Sequence, residues 1–138
     1  MIRYEAIEHT ADAGIRAYGS SLAGVFENCA LGMMSLMIEA EGVEQRERVR
    51  IEAGGIDLEA LLVAWLSEIL FRVEAEGWAF GDFQVDEISD TSVSGSGIGE
   101  RLDPEKHGVK MEIKAATYHM LEVGEKDGHW SAQVIFDV

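Results

Sequence analysis

The chain of 138 residues has one cysteine, one proline, and 11 basic residues against 26 acidic ones, for a formal net charge of −15. Each shortage excludes something. A lone thiol, Cys29, cannot close an internal disulfide, and it falls in an apolar helical pattern with no second thiol or histidine pair beside it, so it reads as a small core residue. Scarce lysine and arginine argue against a general nucleic-acid binder, because phosphate binding draws on those side chains to release counterions. A basic partner or a cation suits the charge better. No stretch approaches the roughly twenty apolar residues of a membrane span, and Met1 to Glu5 lacks the order of a signal peptide, so a cytoplasmic protein is expected. What is present is 47% hydrophobic residues without low-complexity tracts, enough for one compact domain over residues 1–138.

Period and turn chemistry predict the elements. Residues 1–8 alternate as a strand does, a polar loop follows at His9 to Gly14, and Gly14 to Gly19 resumes as a strand. Ser20 or Ser21 can cap a helix whose apolar stripe runs Leu22, Val25, Phe26, Cys29, Met33, Leu36 and Met37. Its methionines fit a core face. Residues 43–52 read as a strand closed by Gly54-Gly55, and Asp57 caps a second helix, with Leu61, Leu62, Trp65, Leu66, Ile69 and Leu70 on one face and Gly77 as its left-handed stop. From Trp78 onward the chain breaks into short alternating segments. Val85, Ile88 and Val93 belong to the first of these, and Val109, Met111 and Ile113 to a later one with Lys114 opposite. Lys126-Asp127-Gly128 is a hairpin turn joining 115–125 to 129–138. The sum is an α+β fold, a two-layer sandwich of a mostly antiparallel sheet of six or more strands covered by two amphipathic helices. Gly95-Ser96-Gly97-Ile98-Gly99 is better read as a flexible or bulged strand than as a phosphate loop, since no helix follows it.

Three polar clusters could carry chemistry: His9 to Asp12, Glu100 to His107, and Lys114 to His119 with Asp137-Val138. Zinc spacings, a P-loop and a serine elbow are all missing from the sequence. Asp12, Asp137 and the carboxylate of Val138, if the natural chain ends there, are hard oxygen donors of the kind calcium and magnesium take. Spacing alone does not bring Asp12 to Asp137. His9 could cap a backbone group or bind metal, and Lys114 on a strand ordinarily faces solvent. His107 either anchors a loop or meets a partner.

Taken together, His9-Thr10-Ala11-Asp12-Ala13-Gly14-Ile15, Asp57 to Leu70, Gly99-Glu100 with Lys106-His107, Glu112-Ile113-Lys114-Ala115-Ala116-Thr117-Tyr118-His119 and Val134-Ile135-Phe136-Asp137-Val138 resemble the archease family over essentially the whole chain. The family more often carries valine at Ala116, a mild change. The resemblance implies a non-catalytic activator of the RtcB-type RNA ligase of tRNA splicing, which speeds guanylylation of the ligase and permits multiple turnovers. It also implies a metal site on Asp12, Asp137 and Val138, usually holding calcium, and makes Lys114 a functional candidate beside His9, His119, Glu100 and His107. Two other classes are open to the residues. A metal-free chaperone or adaptor would draw on the surplus methionine, and a small metal-dependent hydrolase would use His9 or His119 as base.

Overall fold

The structure, a computed structural model, describes residues 2–8 and 12–138. The α+β expectation holds, with eight strands divided between two antiparallel sheets. In the larger sheet β1 (Tyr4–Glu8), β2 (Ala13–Gly19) and β8 (His129–Asp137) lie side by side, and β6 (Ala115–Ala116) and β7 (Glu122–Lys126) both pair with β8. In the smaller sheet β5 (Ser92–Arg101) runs between β3 (Glu47–Gly54) and β4 (Trp78–Ile88). Two long helices, α1 (Leu22–Met37) and α2 (Leu58–Glu76), and a short α3 (Pro104–His107) complete the described elements with a 3-10 turn at Ala40–Gly42. None of these helices is long and apolar enough to cross a membrane.

Local chemistry sets both long helices. The side chains of Ser21 and Asp57 accept the amides of Gly24 and Ala60 at 3.0 and 2.8 Å, satisfying donors that a helix start leaves free. Two residues before each cap stands a glycine, Gly19 or Gly55, where an added Cβ would come within 2.6 Å of the amide nitrogen of Val25 or Leu61. The two strand-to-helix turns are therefore built alike, although the sequence shows no longer repeat. Gly77, at φ 74°, ends α2 as predicted.

The apolar stripes of the helices meet in one core with both sheets, where α1 packs on β2 and β4 and α2 on β3. Met33 and Met34 are buried there, and burial pushes the Cys29 thiol up to about 12, which keeps it inert. Trp65 is fully buried, its indole N–H donating to the Phe26 carbonyl at 3.2 Å.

The glycine run serves packing. A Cβ on Gly97 would lie 2.7 Å from the Phe80 ring, and one on Gly95 or Gly99 would overlap the Gln84 or Ala79 carbonyl oxygen. β4 is irregular at these places, with register shifts between Phe80 and Asp82 and between Val85 and Glu87. Gly99→Ala must push two strands apart, so we expect a loss of about 1–3 kcal/mol in a urea titration. An unchanged midpoint would contradict this packing.

The fold departs from the sequence pattern at residues 43–46 and 108–114. The strand read from Val43 starts at Glu47, because the 3-10 turn is held by the Val43 amide on the Ala40 carbonyl, after which the Arg46 amide joins the Gly99 carbonyl. The alternation at Val109, Met111 and Ile113 belongs to no strand: residues 108–114 cross between the sheets, and the amides of Lys110 and Lys114 tie them to the carbonyls of Met37 and Asp137. Ile113 is buried while Val109 and Met111 stay exposed.

Candidate functional site

Pairing of the two ends of the chain builds the site. Ala13 on β2 is registered with Phe136 on β8, and one residue beyond that pair come Asp12 and Asp137. Two carboxylates so far apart in sequence thus reach the same end of the larger sheet, on neighbouring strands. At the other edge of β8, Ala115 is registered with Asp137, and the Lys114 amide donates to the Asp137 carbonyl at 2.8 Å. Asp137, Val138 and Lys114 are exposed and Asp12 is half-buried.

The loop that follows is pinned to the same strand. Both the amide and the hydroxyl of Thr117 donate to the Ile135 carbonyl, at 3.1 and 2.7 Å, and the His119 amide donates back to the Thr117 hydroxyl oxygen at 3.3 Å. The Gln133 side-chain amide reaches the Met120 carbonyl at 3.0 Å, so the outer face of β8 is covered here and Ile135 and Gln133 are buried. His119 itself is exposed, while His9 lies outside the described residues. Among the described residues no three His, Cys, Asp or Glu side chains cluster as a metal site. At this end of the sheet Asp12 and Asp137 stand on neighbouring strands, and their carboxylates are hard oxygen donors.

Glu100 and His107 sit elsewhere, near the end of β5 and on the short α3 that follows it. The buried His107 ring accepts the Asp103 amide at Nδ1, 2.9 Å, which leaves Nε2–H to donate to Glu100 at 2.9 Å. Glu100 also accepts the Glu44 amide at 2.8 Å and the Lys106 ammonium at 2.9 Å. These bonds, the Glu44 amide foremost and then His107 and Lys106, hold the Glu100 carboxyl down at about 2. The pair fastens α3 and the chain around Glu44 to β5. Glu44 was not foreseeable as a partner, since nothing local links it to Glu100.

A carboxyl depressed in the folded state stabilises fully above its ordinary value of 4.5 and loses that contribution as pH falls towards about 2. An NMR titration of the Glu100 carboxyl carbon should therefore find it ionised at pH 3.5. Half-protonation near pH 4.5 would mean the cluster does not form.

Comparison with known proteins adds the family. Residues 4–138 match the family model described as the Archease protein family. The chain belongs to that family. Protein archease of Pyrococcus furiosus is 42% identical over 142 residues, all of both chains, and that of Methanosarcina mazei is 41% identical over 140 residues, 99% of this chain and 96% of the relative. Among solved structures, the solution structure of a Methanobacterium thermoautotrophicum protein has a TM-score of 0.80 at 38% identity over 99% of both chains. A Thermotoga maritima archease, described as a possible chaperone, has a TM-score of 0.59 at 22% identity over 97% of this chain and 96% of its own. That second likeness concerns the fold alone. The archease fold is what unites Asp12 with Asp137, because β2 and β8 come from opposite ends of the chain.

Proposed function

We propose that the chain is a non-catalytic activator of an RtcB-type RNA ligase in tRNA splicing, acting in the cytoplasm through a cation held at Asp12, Asp137 and Val138. The observation that carries this reading is the arrival of Asp12 and Asp137 on neighbouring strands at one end of the larger sheet. Membership of the archease family supports it. Carboxylates on adjacent strands repel, so the donor set suits a hard cation, most simply calcium. When bound, the ion supplies a compact positive charge at an otherwise acidic end.

The chain's own residues do the rest. Asp12 and Asp137 bind, the Lys114 amide fixes the Asp137 backbone, and Thr117 pins the loop that carries His119. With a net charge of −15, the protein is steered to a basic protein surface and away from RNA phosphates. A metal-free chaperone or adaptor is the second reading, favoured by exposed Met111 and Met120.

Transfer of radiolabelled GMP from GTP to the ligase, followed with and without this protein, tests the proposal. Faster labelling with calcium present and no gain after chelation is the expected result. Equal labelling rates in all arms would leave the adaptor reading.

A further inference from the structure

The apolar surface left open by the fold is concentrated. Apart from Ile2 and Ile56, every large hydrophobic side chain exposed among the described residues lies on or beside the segment from Gly108 to Leu121, which holds the crossover, β6 and the loop after it. Val109, Met111, Tyr118 and Met120 are on it, and Val138 follows β8, the strand that it pairs with. Phe71, 55% exposed, projects from α2 into a hollow of about 480 Å³ that Lys114 and Ala115 also line.

A second hollow, of about 380 Å³, adjoins the first through a shared wall at Glu74 and is lined by Val73, Val109, Met111 and Glu112. The two form a groove between the C-terminal half of α2 and the crossover. Leu70 lines the first hollow and Val73 the second, Phe71 opens the first and Met111 the second, and Glu74 and Glu112 supply their acidic groups. On the same helix Glu68 and Glu76 share Arg72 as an ion-pair partner, whereas Glu74 and Glu112 form no ion pair with any described residue. An aromatic and a thioether held open in water beside unneutralised carboxylates make a surface that is complementary to one chemistry.

We infer that this groove docks a basic amphipathic segment of the protein partner, with large apolar side chains entering the two hollows beside Phe71 and Met111 and lysines or arginines meeting Glu74 and Glu112. Lys114 closes the end nearest Asp137 and sets the direction, because a cationic segment turns its charges away from it. A segment seated here lies against the residue whose amide bonds Asp137, so docking brings the partner up to the acidic end. The location beside that end rests on the proposed function; the groove's chemistry does not.

The probe is a synthetic helical peptide with leucines at i, i+3, i+4 and i+7 and lysines elsewhere, added to the isotopically labelled protein. Amide and methyl shifts should move first around Phe71, Glu74 and Met111. Phe71→Ser and Glu74→Lys should each weaken binding about tenfold, and a peptide with serine in place of leucine should lose it. In the ligation assay the same Phe71→Ser variant should raise the concentration needed for half-maximal stimulation about tenfold. Shifts centred elsewhere, such as on Ile2 and Trp130, or affinity indifferent to Phe71, would overturn the groove. A wild-type protein that binds the peptide in the groove and fails to stimulate the ligase would instead sink the functional proposal and leave the groove standing.

Discussion

Asp137→Asn is expected to leave stability in chelator unchanged or raised by up to about 1 kcal/mol, and to abolish the stabilisation that calcium gives the parent protein. The first part follows from removing one of two like charges on adjacent strands, which are worth a few tenths to about 1 kcal/mol. Asparagine keeps the side-chain shape, and Asp137 is exposed, so no core contact is lost. The second part follows from linkage. An ion that binds only the folded chain stabilises by about 2.7 kcal/mol at one hundred times its dissociation constant, and each kcal/mol raises the melting temperature of a domain this size by about 2–4 °C. Calorimetric melts of both proteins, in chelator and in excess calcium, should show a large rise for the parent and none for the variant. The same rise in both would place the ion elsewhere.

Trp65→Ala is expected to cost about 3–5 kcal/mol, a large share of the roughly 5–15 kcal/mol that holds a typical domain. Trp65 is fully buried, and its indole joins the helices by donating to the Phe26 carbonyl. Its removal opens a cavity lined by rigid core side chains that cannot all collapse inward. Phe71→Ala, further along the same helix but exposed, should cost under about 0.5 kcal/mol. Urea titrations of the two variants make the comparison. Similar losses would mean that α2 does not present the face described.

Features set by neighbours along the chain are legible in the sequence. Ser21, Asp57 and Gly77 bound the helices because caps and stops act over three or four residues. Asp127 and Gly128 both take positive φ, 53° and 78°, as an Asp-Gly hairpin requires. The glycine run is readable as a strand because no helix starts from it: the one-turn α3 begins only at Pro104, past the end of β5 at Arg101. Its bulges are not readable, since they answer to the facing strand β4.

Features set by distant partners are not legible in the same way. Val109, Met111 and Ile113 alternate like a strand, but alternation records burial, and only Ile113 is covered. Division of the strands into two sheets depends on which strand pairs with which, information that hydrophobic period lacks. For the same reason period leaves Asp12 and Asp137 unrelated, and only the pairing of β2 with β8 joins them. His107 could be placed near Glu100 by its short separation, whereas the Glu44 amide that most depresses the Glu100 carboxyl comes from another loop.

We propose that the acidic end of the larger sheet is what acts on the ligase. The most direct test counts ligated RNA molecules formed per RtcB-type ligase molecule, in calcium, with no addition, with the parent protein and with Asp137→Asn. Many turnovers with the parent and about one with the variant, both proteins being folded, is the predicted result. Equal turnover with the variant and the parent would contradict it.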